Sequence, residues 1–401
     1  GDFTHPLWLR ELKENLEPAE LGLFKIKNSK LKIQNNLGWY LPEINQENQT
    51  RFILTTEISC IYSKNNRTRK IHLIIFAPSF EIVEKINTHL GWIGNLKADG
   101  RPILGLDAQE LLKIILSISQ DCLIVPSHAW TPWFSIFGSN SGFDSIEECF
   151  NQYSKYIYSI ETGLSSSPAM NWRLSKLDKI SLISNSDAHS PNRIGREANV
   201  FETGLNYSLI LEAIKSKDSK KFLYTIEFFP EEGKYHYDGH RNCQISFTPE
   251  ETRKHRGICP KCGRTLTIGV MYRIEELADR SLGQKPENFI PFKSLVPLEQ
   301  IIAEALNMVV SSKAVQQEYK NLINRFGNEF KVLLDVSLSQ IEQASSSEIA
   351  EGIARVRQGK IQIEPGYDGE YGKIKIFADQ ERGNFSKQIS LFSLSKGEEK
   401  D

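Results

Sequence analysis

Apolar residues over the first 229 positions gather in short alternating or continuous runs, separated by stretches with helical spacing. The pattern predicts strands near 52–62, 70–77, 122–126, 156–161, 180–185 and 222–228, and amphipathic helices near 80–90, 107–118, 144–154 and 206–217. Alternation of strands and helices predicts an α/β fold with a parallel sheet, and its irregular spacing suits a barrel better than a sequence repeat. A glycine- and histidine-bearing stretch at 233–241 breaks the pattern and opens a small insert. A short helix is expected over 271–280, where Ile274, Leu277 and Ala278 share a face, and then a Gly- and Pro-containing linker at 281–297. Helices are predicted over 298–308, 314–325 and 347–358, the last after the polar start signal Ser345-Ser346-Ser347. Two alternating strands around a glycine-rich loop follow at 361–377, and the acidic tail reads as disordered. Three units and a flexible tail result, the units at 1–229, 230–282 and 283–380 and the tail at 381–401.

Several apolar runs end in metal-binding side chains. The run Ile180-Ser181-Leu182-Ile183 leads to Asp187 and His189, Leu123-Ile124-Val125 leads to His128, and Phe52-Ile53-Leu54-Thr55-Thr56 leads to Glu57. His72 lies inside Ile71-His72-Leu73-Ile74-Ile75-Phe76, and the opening Gly1-Asp2-Phe3-Thr4-His5-Pro6 adds Asp2 and His5. A parallel barrel keeps its chemistry at the carboxyl ends of its strands. Nitrogen and oxygen donors converging there can hold more than one divalent ion, zinc, manganese or magnesium, to activate water and neutralise the oxygen leaving a phosphate ester. A lone strand histidine is more often a satisfied core residue, but recurrence at several strand ends argues for a shared site. Asp187, His189, His128 and Glu57 are the candidate catalytic set. The opening segment is active-site-like yet has no strand before it, which predicts that the chain begins inside a domain.

The insert carries the second signal. His240-x₂-Cys243 and Cys259-Pro260-Lys261-Cys262-Gly263 have the spacing of a zinc ribbon, each short loop letting two ligands clasp one structural zinc. His240 ranks first as the fourth ligand, with His236 or Asp238 as substitutes. Arg241, Arg253, Lys254, Arg256, Lys261 and Arg264 surround the knuckle and would either hold phosphates or form an ordinary solvated surface. Cys60, Cys122 and Cys149 stand in apolar contexts and read as buried thiols.

A length of 401 residues predicts two or three units, each with its own core. The net charge of −1 gives no global argument for nucleic acid, so that argument rests on local groups. No apolar run reaches spanning length and no secretory leader is present, which predicts a soluble, intracellular (cytoplasmic) protein with no membrane partner. Trp130 and Trp133 follow His128, and Trp172 precedes Arg173; such aromatics either stack on a base or pack the mouth of a barrel. Arg173, Arg193 and Arg196 either clamp phosphates or serve as surface ion-pair partners.

Gly1-Asp2-Phe3-Thr4-His5-Pro6, Pro126-Ser127-His128-Ala129-Trp130, Ser186-Asp187-Ala188-His189, the cysteine-rich insert and Pro365-Gly366-Tyr367-Asp368-Gly369-Glu370-Tyr371-Gly372 together resemble endonuclease Q over nearly the whole chain. The resemblance implies a polymerase-and-histidinol-phosphatase (PHP) domain, a distorted (β/α)7 barrel, joined to a zinc module and a helical carboxyl region. It implies a DNA repair enzyme that cuts 5′ of a deaminated base (uracil, hypoxanthine or xanthine) or an abasic site. By position it makes Asp2, His5, Glu57, His72, His128, Asp187 and His189 metal-site residues, and Cys243, Cys259 and Cys262 zinc ligands. PHP domains begin with a strand carrying a His-x-His pair, and nothing here precedes Gly1, so the resemblance also implies a metal cluster two ligands short. Contacts to DNA are expected from Arg173, Arg193, Arg196, Arg241, Trp133, Trp172 and Tyr367. The tail peptide Gln388-Ile389-Ser390-Leu391-Phe392 is similar to those with which repair proteins dock on sliding clamps, Leu391 and Phe392 filling a pocket. The rival readings are a PHP-type phosphatase or exonuclease, and a DNA-binding protein with an incomplete catalytic site.

Overall fold

The computed structural model describes residues 2–27, 50–98 and 100–378. The tail peptide with Gln388, Leu391 and Phe392 lies outside the described residues. The fold is mixed α/β, with the strands of the described residues in six hydrogen-bonded sheets.

Its centre is a long hairpin. Leu54–Lys64 runs antiparallel to Arg67–Ala77, in register from Leu54 opposite Ala77 to Lys64 opposite Arg67. The connecting residues Asn65 and Asn66 both adopt left-handed backbones (φ 54 and 57), the two-residue turn whose twist matches a hairpin. Leu123–Pro126 adds antiparallel to the second strand, and Ile103–Leu104 adds parallel to the first. The expectation of an all-parallel sheet is therefore corrected here: a two-residue turn can only reverse the chain. Parallel pairing does occur between Ser159–Glu161 and Ser181–Ile183, and between Phe222–Glu227 and Phe292–Ser294. The last strand falls inside the expected linker, so that segment is pinned to the sheet rather than free. Ala198–Phe201 pairs antiparallel on the other edge of Phe222–Glu227.

Helix boundaries follow the apolar spacing and its caps. Phe80–Gly91 starts where Ser79 accepts from the Ile82 N–H, and buries Val83, Ile86 and Leu90. Ala108–Ile118 starts at Asp107 and buries Leu111, Leu112 and Ile115. Both faces join a core with Ile58, Leu73 and Ile75. Leu298–Ala305, Lys313–Phe326 and Ser347–Arg357 enclose a second core around Ile301, Leu322 and Ile353. Several helices escaped the periodicity, among them Pro6–Asn15, which buries no residue completely, the short Pro249–Lys254, and Leu338–Ala344, seven residues started by a Ser337–Gln340 capping box. Packing crosses the expected unit boundaries, because Val270 and Ile274 sit in the first core and Ile226 in the second. Among the described residues, no helix is long and apolar enough to cross a membrane.

Candidate metal centres

Alternation along the hairpin places Glu57, opposite Ile74, and His72, opposite Ser59, diagonally on one face. The edge strand Leu123–Pro126 ends beside His72, whose carbonyl accepts the Ser127 N–H at 3.0 Å, and the next residue is His128. The three side chains meet. Glu57 Oε1 lies 3.2 Å from His72 Nδ1 and 3.4 Å from His128 Nε2, and the two ring nitrogens are 3.0 Å apart. Glu57 and His72 thus sit within the strands Leu54–Lys64 and Arg67–Ala77 rather than at their carboxyl ends.

Electrostatics at this point favour a cation. Burial would raise the Glu57 carboxyl, but contacts to His128 and then His72, with Arg101, hold it well below the usual carboxylate range. Burial lowers His72, whereas for His128 the contact with Glu57 outweighs burial and raises it. The cluster therefore prefers to share a positive charge. Glu57 Oε1 is nevertheless buried without a well-aligned hydrogen bond, despite the short nitrogen distances. Lone pairs of three donors facing one small space fit a divalent ion.

Glu57 and His128 of this cluster line a cavity of about 590 Å³, together with Asp2, Arg101, Glu161, Asn185, Asp187 and His189. Asp2 arrives because Phe3 N–H bonds Thr55 O (3.2 Å) and Thr4 Oγ1 meets Thr56 Oγ1 (2.9 Å), laying the opening segment along the first strand. Asp187 joins through Arg101, whose Nε bonds Glu57 Oε2 and whose Nη2 lies 3.4 Å from Asp187 Oδ1. Arg196 supports the same turn, donating to Ser186 O at 2.8 Å and Asp187 O at 3.3 Å. His189 is at the rim, 75% exposed, with Nδ1 against the Asp187 carbonyl at 2.9 Å. His5 does not line the cavity; it precedes the Pro6–Asn15 helix, where its backbone bonds Asp2. Seven expected metal residues thus resolve into three in contact, three around the same cavity, and His5 apart.

Arg101, Glu161, Asn185 and Thr131, whose Oγ1 lies 3.1 Å from His128 Nδ1, are site residues that sequence reasoning passed over. Glu161 ends an apolar run as His128 does, and that was its readable signal. Arg101 had none, standing in a loop. Asp2, His128 and Asp187 all hold left-handed backbones (φ 65, 30 and 43), a local cost of order 1–3 kcal/mol each that the surrounding bonds must offset.

The second centre is the knuckle. The hairpin Asp238–His240 with Ile245–Phe247 presents His240 and Cys243, and Gly263 (φ 72) turns the chain after Cys259 and Cys262. Ligand atoms of His240, Cys243, Cys259 and Cys262 lie within 4.8 Å of one another. Burial would raise Cys259, but the backbone N–H groups of Cys262 and Lys261 bring it down to about 6, while burial and the adjacent thiols push Cys243 up to about 11. His236 and Asp238 are corrected as alternative ligands: His236 is buried against Pro230 O (3.2 Å), and Asp238 accepts the Gly269 N–H at 2.6 Å. Around the knuckle, Arg253 pairs with Glu275 and Lys254 with Glu250, which leaves less free positive charge than the sequence suggests.

Other expected DNA contacts divide by exposure. Arg173 is 6% exposed and pairs with Glu275 at 2.6 Å, so it has no face for a phosphate. Trp172 packs edge-on against Phe289 and Phe292, the core-packing alternative. Tyr367 is half-buried against Gly239 of the knuckle hairpin. Trp133 is 39% exposed beside Tyr235, and Arg241 is exposed with a long 3.8 Å pair to Glu370. Arg193 lines a separate cleft with Tyr319 and Phe330.

The family model for the MJ0043 C-terminal domain matches residues 297–360. The crystal structure of the lesion-specific endonuclease PfuEndoQ from Pyrococcus furiosus matches with a TM-score of 0.77 at 30% identity, over 96% of this chain and 89% of that chain. This chain belongs to the endonuclease Q family. A second endonuclease Q structure, in complex with a 27-mer duplex substrate bearing an abasic lesion at the active site, matches with a TM-score of 0.77 at 30% identity, over 95% of this chain and 87% of that chain. Two uncharacterized proteins are also similar. MJ0043 of Methanocaldococcus jannaschii is 34% identical over 272 residues, 66% of this chain and 33% of that protein. YqxK of Bacillus subtilis is 27% identical over 310 residues, 76% of this chain and 74% of that protein. The aligned part is thus about a third of the length of the archaeal relative.

Proposed function

We propose that this endonuclease Q family member is a DNA repair nuclease built on a PHP-type barrel. It hydrolyses the phosphodiester bond 5′ of a deaminated base (uracil, hypoxanthine or xanthine) or an abasic site. The observation that carries the reading is the convergence of Glu57, His72 and His128, with Glu57 and His128 lining a polar cavity beside Arg101 and Asp187. A divalent ion held by those three donors, zinc, manganese or magnesium, would supply Lewis acidity and an acidified water. Asp2, Asp187 and His189 line the same cavity and would complete the coordination of further ions. Arg101 bridges two carboxylates at the cavity and offers its remaining N–H groups to the scissile phosphate. His240, Cys243, Cys259 and Cys262 would hold a structural zinc that folds the insert.

Deamination replaces an amino group by a carbonyl and weakens pairing, so a site offering donors to that oxygen accepts the altered base and rejects adenine or cytosine. Trp133, exposed beside Tyr235, is the aromatic placed to stack on nucleic acid, and Arg196, Arg193 and Arg241 are the guanidinium groups placed to hold its backbone. Gln388, Leu391 and Phe392 would dock on a sliding clamp. Incubation with manganese and a duplex bearing one inosine tests the proposal, run beside unmodified duplex and p-nitrophenyl phosphate. A nick immediately 5′ of inosine is expected. Release of nitrophenol alone would make the protein a phosphatase, and retention of the duplex without cutting would make it a binding protein.

A further inference from the structure

Glu161 touches both turns that carry the candidate ligands. One carboxylate oxygen, Oε2, accepts the His128 backbone N–H at 2.7 Å, and the other, Oε1, accepts Asn185 Nδ2 at 2.9 Å, two residues before Asp187. Its own carbonyl accepts the Ala129 N–H at 3.0 Å. The end of the Ser159–Glu161 strand thereby fixes residues 128, 129 and 185 from a side chain only 3% exposed.

Both turns need such restraint, since His128 and Asp187 hold left-handed backbones that their side chains disfavour. Two residues beyond Glu161, Gly163 (φ 61) packs so close that a Cβ there would lie 2.7 Å from His128 Cβ. On the far side, Asn185 Oδ1 accepts from Asn199 Nδ2 at 3.2 Å, and the Asn199 amide also bonds the Ser184 N–H (2.9 Å) and carbonyl (2.8 Å). A chain of hydrogen bonds therefore runs from Asn199 through Asn185 and Glu161 to His128. The His128 ring is then oriented by Thr131 Oγ1 at Nδ1 (3.1 Å), leaving Nε2 toward Glu57 and His72.

We infer that Glu161 is a positioning residue that sets the separation of the His128 and Asp187 turns through its two carboxylate oxygens. The inference rests on the proposed reading that those turns carry metal ligands. Its chemistry is specific. An ionised carboxylate can accept from two donors at once, whereas a carboxamide at the same position would meet one of them with an N–H. Glu161→Gln should therefore set a new amide nitrogen against Asn185 Nδ2, and Asn185→Asp alone should set two carboxylates in contact. Together the two changes reverse the polarity of one hydrogen bond and restore it: the oxygen that Asn185→Asp puts in place of Nδ2 accepts from the amide introduced by Glu161→Gln, and the original Oδ1 remains for Asn199.

The test uses the full chain with the knuckle loaded with zinc. Cobalt is titrated into the remaining site and followed by its d–d absorption, and the ring nitrogens of His72 and His128 are followed by NMR in ¹⁵N-histidine protein before cobalt is added. E161Q and N185D are each expected to weaken cobalt binding about 10–100-fold, the usual cost of losing a group that orients a ligand. Each should also displace the His128 resonances, and E161Q/N185D should recover most of both losses. Unchanged cobalt affinity and His128 resonances in the single variants, or a double variant no better than the worse single, would overturn the inference. If the parent chain takes up no cobalt, the metal-site reading falls, and the cobalt-free His128 resonances still decide the placement of Glu161.

Discussion

His72 Nδ1 and His128 Nε2 face one another at 3.0 Å, each within 3.4 Å of the same Glu57 oxygen. Two imidazoles brought this close repel if both are protonated, whereas a cation set between their lone pairs and the Glu57 oxygen satisfies all three. His72→Ala or His128→Ala should each remove the ion from this site and lower lesion nicking at least about 100-fold. The knuckle should keep its own ion. Metal counted per chain is the check: more than one ion for the parent, and one for either variant. A variant that retains the parent's metal content would remove the cluster from the mechanism.

Arg101 provides positive charge in the same cavity, contacting Glu57 and, at 3.4 Å, Asp187. An arginine between carboxylates could serve merely to neutralise them, in which case its loss would weaken neither phosphate binding nor turnover. As a phosphate-binding group, Arg101→Ala should instead lower nicking by about 100–1,000-fold, the scale of a lost charge-stabilising donor. Cobalt affinity should hold or rise, because a competing cation has gone. A fall in cobalt affinity that accounts for the whole loss of rate would refute the assignment.

Much of this arrangement was legible in the chain, for local reasons. Helices with a marked apolar stripe and a Ser or Asp cap, such as Phe80–Gly91 and Ala108–Ile118, lie where the spacing put them. The knuckle was readable because short loops between ligands force them together. Long-range pairing was not readable from apolar pattern alone. That Glu57 and His72 share a face depends on the antiparallel register set by Asn65-Asn66, a turn signal that was overlooked. Exposure was equally hidden: Trp133 and Trp172 look alike as sequence, and Arg173 looked as available as Arg196 until Glu275 was found against it.

A pH dependence should come from behind the site. Burial pushes Glu227 up to about 8, against hydrogen bonds from Thr225 and Thr162, and burial beside Glu227 raises Glu197 well above the carboxylate range. With a folded value above the ordinary 4.5, the native state holds more protons than the unfolded chain between those limits. This contribution to stability is complete below about 4.5 and is lost as pH rises through about 8. Glu227→Gln stays neutral, so its melting temperature should change less over that range and exceed the parent's by a few degrees at the alkaline end. Parallel melting curves with equal slopes for the two proteins would show that Glu227 does not titrate as its burial requires.

The two tryptophans separate binding from packing. Trp172 meets Phe289 and Phe292 at ring distances of 5.1 and 5.7 Å, so Trp172→Ala removes aromatic contacts from the interior. Partial burial puts the cost at the low end of about 3–5 kcal/mol, enough to lower the melting temperature clearly. Trp133 has 39% of its surface exposed and a single aromatic neighbour among the described residues, Tyr235 at 5.5 Å. Trp133→Ala should therefore leave melting nearly unchanged and weaken binding of a lesion duplex by about 1–3 kcal/mol, the worth of one stacked base. Melting curves and duplex titrations on both variants give four numbers, and the expected pattern is crossed: stability lost in one, affinity in the other. Loss of affinity with Trp172→Ala at a temperature where it remains folded, together with none for Trp133→Ala, would reverse the assignment and move the nucleic-acid face to the Phe289 side of the molecule.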